Sequence, residues 1–282
     1  MYGKIAWAVM AALASASTTA LAQTQAQGKP PATLPPVVVT GNPLGSELFD
    51  LVQPVSVLGG QELFLQRRST LGETLDGLPG VASTNFGPNA SRPVIRGLDS
   101  DRIRILQNGA GVLDASSLSF DHAVAVDPLV IERAEVVRGP AALLYGGNAV
   151  GGVVNVIDNR IPQSPVQGFT GRGEARAGGA ERETAGSVVL ETGDGRVALH
   201  ADAYTRDTDD LRIKGPNISP RLQQADPARA VTFGTLPNSA ARAKGGALGA
   251  SMTWDRGYAG VSYAGTDTYY GTVAEPNVVI DM

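Results

Sequence analysis

The chain has 282 residues, 43% of them hydrophobic and 18% charged, with 35 glycines, 18 prolines, no cysteine and a formal net charge of −4. That much apolar material excludes a wholly disordered chain, the missing cysteines exclude disulfides and Cys-ligated metal sites, and an acidic balance without a basic run argues against nucleic acid as a partner. Beyond residue 22 no apolar stretch approaches the ~20 residues of a membrane-spanning helix, whereas glycine well above the usual ~7% suits a chain of turns and strands.

Lys4 precedes the apolar run Ile5 to Ala14, and Ala20-Leu21-Ala22 supplies a small-residue cleavage site. Residues 1–22 therefore read as a secretory signal peptide; the alternative is a buried N-terminal helix. Residues 23–41 read as a flexible linker, because Gln23 to Pro36 is polar and rich in Ala, Gln and Pro. The linker ends in Val37-Val38-Val39-Thr40-Gly41, a β-branched run behind Pro35-Pro36. Such a segment can add as a strand to the sheet edge of another protein. It can equally open the domain that follows.

Residues 42–162 read as a compact α+β domain. Pro54 to Leu58 is strand-like. Thr70-Leu71-Gly72-Glu73 is a capping box that opens a short helix, stopped by Gly77 and Pro79-Gly80. Arg92 to Gly97 and Arg102 to Leu106 are short strands, and Asn108-Gly109 makes a tight turn after them. Asp127-Pro128 has the form of an N-cap followed by Pro at N1, which predicts a helical turn. Ala134 to Val137 is extended, Ala141 to Tyr145 is a second short helix, and Val153 to Ile157 is the last strand.

From 163 to 282 the pattern becomes dyad alternation. It is seen in Phe169 to Ala177, Val197 to Arg206, Gly246 to Trp254 and Ala259 to Gly265. Gly193-Asp194-Gly195 and Asp255-Arg256-Gly257 are tight hairpin turns, and Asp207 to Arg242 is a long loop. In 197–206, Val197, Leu199, Ala201 and Ala203 share one face, while His200, Asp202, Tyr204 and Arg206 share the other. Ten-residue alternating strands with short turns on one side and long loops on the other are the signature of a transmembrane β-barrel, although a soluble sandwich also alternates. Aromatic residues at strand ends (Trp254, Tyr258, Tyr269, Tyr270) favour the barrel. About five strands can be counted and a single-chain barrel needs at least eight. Because open edges are costly in lipid, the expectation is an N-terminal fragment of a longer chain.

The run TLPPVVVTG (33–41), the capped helix with LPGV (78–81), RPVIRGLDSDRIRILQNG (92–109) and VDPLVIERAEVVRGPAALLYGGNAVGGVVNVI (126–157) together resemble a TonB-dependent outer-membrane receptor. The resemblance covers nearly the whole chain after the signal peptide. It implies an α+β plug domain followed by the first strands of a large antiparallel transmembrane β-barrel, about 22 strands in the full chain. It also implies that Leu34, Pro35, Pro36, Val37, Val38, Val39 and Thr40 form the box gripped by TonB, the energising inner-membrane partner. Residues 111–162 look most like the zinc-uptake and haem-uptake branch.

No catalytic constellation arises from spacing, so the chain does not read as an enzyme. The glycine-rich 146–152 lacks a lysine and reads as tight packing. Asp121 and His122 are adjacent on a polar stretch and are candidate ligands for Zn²⁺, which accepts carboxylate and imidazole; alternatively they are a solvated pair. His200, on the inward register, is expected to bond the plug. Glu132, Glu135 and Arg138 are expected to pair with barrel-wall charges. The expected function is import of a scarce nutrient across the cell outer membrane, a metal (zinc) or metal chelate carried as ligand without a resident cofactor. The partners would be TonB, outer-membrane lipid and the metal species. A haem or siderophore receptor is the alternative within the fold, and an adhesin or passive porin the alternative outside it.

Overall fold

The computed structural model describes residues 55–112, 115–273 and 279–281. The expected signal peptide, the linker and the box at 34–40 lie outside them.

The first region is built around a five-stranded sheet. Its strands are β1 (Val55–Gly59), β4 (Ile103–Gln107), β5 (Ala110–Gly111), β6 (Arg133–Val137) and β7 (Gly152–Ile157), in the order β1-β6-β7-β4-β5. Only β4 and β7 run parallel. Two short helices, α1 (Gly60–Gln66) and α2 (Leu71–Leu75), follow β1, and a two-stranded sheet of β2 (Val81–Ser83) and β3 (Pro93–Ile95) follows them. Thr70 caps α2 as expected, its hydroxyl accepting from the Glu73 amide at 3.3 Å. Asn108 and Gly109 both take positive φ, the turn that joins β4 to β5. Leu58, Leu71, Leu75, Ile95, Ile131, Val136 and Val154 form the core between sheet and helices. The predicted helix at Ala141 to Tyr145 is a 3-10 helix, Pro140–Tyr145.

Asp127 does cap, accepting from the Leu129 amide at 2.9 Å, and a single turn closes from the Val130 amide to the Asp127 carbonyl at 3.5 Å, but it does not continue as a helix. Leu129, Val130 and Ile131 are buried, and the chain enters β6 at Arg133, two residues later. An apolar run needed on both sides of the turn overrides the local helix signal.

The second region is one antiparallel sheet that is not closed: β8 (Gln167–Gly178), β9 (Glu183–Asp194), β10 (Val197–Thr208), β13 (Ala241–Trp254), β14 (Gly257–Gly271) and β15 (Val279–Asp281). That is one strand more than the alternation revealed. In β9, Val188-Val189-Leu190 hides the period, because Val189 is apolar on the inward face. The 207–242 loop is shorter than expected, since β10 and β13 extend into it. It carries a hairpin, β11 (Arg212–Pro216) and β12 (Phe233–Thr235), around α3 (Pro220–Ala225).

Register divides the sheet into two faces. Leu190, Ala201, Leu248 and Tyr263 are cross-strand neighbours on the outer face, and Thr192, Leu199, Ala250 and Val261 form the next row. On the inner face of β10, Ala198, His200, Asp202, Tyr204, Arg206 and Thr208 are all buried against the first region. The inward-outward assignment for 197–206 is therefore as the sequence implied. Trp254, Tyr258 and Tyr269 are exposed, but Tyr270 points inward and is fully buried.

Candidate functional site: the contact between plug and wall

The first region sits against the inner face of the sheet, and polar bonds cross the contact. Arg67 pairs with Glu174 on β8, both side chains largely buried. The Ser69 hydroxyl donates to Glu183 on β9 at 2.6 Å. Arg206 on β10 donates to the Ser69 carbonyl at 2.6 Å and to Asp127 Oδ1 at 2.9 Å, and its Nε lies 3.4 Å from Glu183. Burial pushes the Asp127 carboxyl up, and the Arg206 guanidinium beside it pulls it back. Arg172 on β8 donates to the carbonyls of Val130 and Ile131. Leu129 and Val130 pack on Ala185 and Tyr204. A polar inner wall thus holds a polar domain by charge-assisted bonds.

The three charges expected to reach the wall do not take part in these bonds. Glu135 is fully buried inside the plug sheet, where Arg133 Nε lies 3.0 Å away. Arg138 donates to the Pro79 carbonyl and the Ser56 hydroxyl, both within the plug. Glu132 is exposed and has its amide bonded to the Ile157 carbonyl. The strand order β1-β6-β7 buries β6 between two neighbours, so its charges meet plug partners.

His200 reaches the plug only indirectly. Its ring nitrogens lie 3.0 Å from Glu191 Oε1 and 3.0 Å from Asp202 Oδ2, both on the wall.

Asp121 and His122 lie at the end of the sheet that carries the long 209–240 connection. Tyr270 places them there: its hydroxyl donates to the Asp121 carbonyl at 3.1 Å and accepts from the Ala123 amide at 2.6 Å. His122 Nδ1 is 3.1 Å from Asp121 Oδ1, and each side chain is about one-third exposed, 31% and 33%. The Ser119 hydroxyl, with smaller help from His122, holds the Asp121 carboxyl below its ordinary range. Among the described residues no cluster of three or more His, Asp or Glu could hold a metal ion. Beside the pair, Phe86 and Phe120 stack with centroids 5.4 Å apart and planes 6° from parallel. Phe120 is 44% exposed. This aromatic platform escaped notice in the sequence because its two residues lie far apart in the chain.

Two small cavities lie at the contact. One of about 100 Å³ lies between Ser69, Asn89 and Val124 on one side and Tyr204, Ala241 and Thr266 on the other. Another of about 190 Å³ lies between Asp158 and Asn159 and the wall residues Arg172 and Glu191.

A mixed α/β domain is seated on the inner face of an open, long-stranded antiparallel sheet that carries apolar residues on its other face. Residues 47–153 match the TonB-dependent Receptor Plug Domain family, so the chain carries such a plug and is an outer-membrane protein. It is similar to a vitamin B12 transporter of Photobacterium profundum, 31% identical over 193 residues, 64% of this chain and 31% of that protein. It is also similar to a rhizobactin receptor of Rhizobium meliloti, 32% identical over 218 residues, 70% of this chain and 28% of that protein. In fold it is similar to the copper transporter OprC, with a TM-score of 0.60 at 20% identity over 77% of this chain and 31% of that one. The chain spans about a third of the length of the relatives it matches. Those relatives are receptors and transporters, not enzymes.

Proposed function

We propose that the chain is the N-terminal part of a TonB-dependent importer that takes a scarce metal, as a chelate, across the outer membrane with the plug as gate. On this reading 1–22 is a signal peptide, 23–41 a linker, 42–162 the plug, and 163–282 the first strands of a barrel of about 22. The box from Leu34 to Thr40 adds as a strand to TonB, which energises the cycle.

The observation that carries the gate is the fit of plug to wall. The cavities of about 100 and 190 Å³ between them fall below the ~300 Å³ at which ligand pockets begin. On this reading, cargo passes when the bonds from plug to wall are released. A passive porin has no use for such a seal.

The outward loop favours a chelate over free zinc. Asp121 and His122 supply two ligands where Zn²⁺ takes four. One imidazole beside an exposed phenyl face suits a metal whose other positions are already filled by an organic, planar or aromatic ligand, as in haem or a catecholate siderophore. Charge points the same way. Arg212, Lys214 and Arg221 are exposed and Arg229 half-buried in the long 209–240 connection; of its acids, Asp226 is exposed, Asp209 pairs with Arg182 and Asp210 accepts from the Ser239 and Ala240 amides. Such a loop repels a divalent cation and draws in an anionic chelate.

The test is titration of the purified complete receptor with hemin, a ferric tris-catecholate and Zn²⁺, for the parent and for His122→Ala. A chelate should bind, and the substitution should weaken it while leaving folded yield intact. Binding of Zn²⁺ alone would return the site to a simple ion.

A further inference from the structure

Residues 158–162 link the plug to β8, and they cross the wall at one level. Asn159 Nδ2 donates to Glu191 Oε1 on β9 at 2.7 Å. Arg160 Nε is 3.0 Å from Asp158 and 3.8 Å from Asp202 on β10. The Arg160 carbonyl lies so close to Gly249 on β13 that any Cβ there would collide with it. A Cβ on Gly260 of β14 would lie 2.5 Å from Ile161 Cγ2. The Ser251 hydroxyl donates to the Pro162 carbonyl at 2.6 Å. Asp158, fully buried, is tied back to the plug sheet by Gln107 at 2.6 Å and Asn108 at 2.7 Å.

His200 lies at the centre of this seat. Glu191, His200 and Gly249 are direct cross-strand partners, and the His200 side chain is fully buried. Both ring nitrogens face carboxylate oxygens at 3.0 Å. A neutral imidazole has one donor, and its bare nitrogen would face a carboxylate lone pair; only the imidazolium satisfies both. The charged groups nearest the ring are Glu191 and Asp202 on the wall, with Asp158 and Arg160 on the linking segment, and Arg172 and Glu132 across the small cavity that Glu191 lines. Without a cation between them, Glu191 and Asp202 would repel each other, leaving Asn159 without a fixed acceptor and Arg160 without the second carboxylate of its ion pairs.

We propose that His200 is a positioning residue, a buried imidazolium that fixes Glu191 and Asp202 so that the segment 158–162 stays seated on the wall as the hinge about which the plug opens. The hinge role rests on the gate reading above. The Arg67, Ser69 and Asp127 contacts part during transport, while the 158–162 seat holds.

Two experiments on the complete receptor test this. These 282 residues hold no cysteine; with any cysteine in the rest of the complete receptor replaced by serine, Ile161→Cys is a single reporter. Its labelling by a maleimide should be slow in the parent background and about tenfold or more faster with His200→Gln, the penalty expected for unpaired buried carboxylates. His200→Lys, which keeps a cation, should restore slow labelling, whereas a merely space-filling histidine would be mimicked better by Gln. Equal labelling in all three backgrounds, or rescue by Gln and not Lys, overturns the positioning role. In the second experiment, Ile161→Cys with Gly260→Cys places the two Cβ atoms within the ~4 Å span of a disulfide. Oxidised receptor should still import radioiron supplied as hemin or ferric tris-catecholate, whereas Ser69→Cys with Glu183→Cys, bridged by a short reducible thiol cross-linker that spans the length of the lost carboxylate, should block import until reduced. Loss of import on oxidising the 161–260 pair overturns the hinge. A parent that imports nothing would sink the gate reading and with it the hinge; the labelling series would still decide whether His200 seats the segment.

Discussion

Removing the Arg206 side chain tests the seal most sharply. Arg206 touches the Ser69 carbonyl, Asp127 and Glu183, and its side chain is 6% exposed, with 6% for Asp127 and 10% for Glu183. These charges are out of water, so no discount for surface screening applies. Arg206→Ala leaves two buried carboxylates without their cation, which costs about 3–5 kcal/mol. With a urea slope of about 2 kcal/mol per M, the midpoint for plug release falls by roughly 1.5–2.5 M. The assay is conductance of the complete receptor in planar bilayers under rising urea, since a released plug opens the pore. The effect also depends on pH. Asp127 already has its carboxyl raised by burial, and Arg206 is the main group lowering it. A raised carboxyl keeps its stabilising contribution below its unfolded range and loses it as pH rises through its folded value. Arg206→Ala raises Asp127 further, so the variant's plug should hold better near pH 5 than near pH 8. An unchanged midpoint at both pH values would refute the claim that these bonds hold the plug.

Thr70→Ala removes the cap of α2 and should cost about 1 kcal/mol in the same urea assay. Gly249→Val forces a side chain into the Arg160 carbonyl, and should lower the yield of heat-modifiable, plugged receptor relative to Ala247→Val on the same face of β13. Val38→Pro removes a backbone donor from the proposed TonB-binding strand; energised uptake should fall while surface binding of the chelate persists. Reversing Arg212, Lys214, Arg221 and Arg229 to Glu should slow the association of a ferric tris-catecholate about tenfold or more at low salt, with the difference shrinking at high salt.

Local signals carried much of the fold. The Thr70 cap, the Asn108-Gly109 turn and the two faces of β10 are short-range properties, and each appears where the residues placed it. Tertiary neighbours were harder to read. The alternation along β6 shows that Glu135 shares a face with Arg133, but only the strand order shows that this face meets Asn155 inside the plug. His200 was legible as inward-facing. Its acceptor Glu191 lies on β9, whose period Val189 obscures, so the carboxylate–imidazole–carboxylate row was not visible. The pairing of Phe86 with Phe120 depends on packing across 34 residues and leaves no mark in either local sequence.

The central claim is energised import of a metal chelate past a displaceable plug. Its most direct test is radiometal accumulation by cells expressing the complete receptor, with radioiron as hemin or ferric tris-catecholate and radiozinc as the free ion, before and after an uncoupler. Chelated radioiron should accumulate, stop on uncoupling, and leave surface-bound chelate in place. Accumulation that ignores the uncoupler, or that is confined to free radiozinc, would contradict the account.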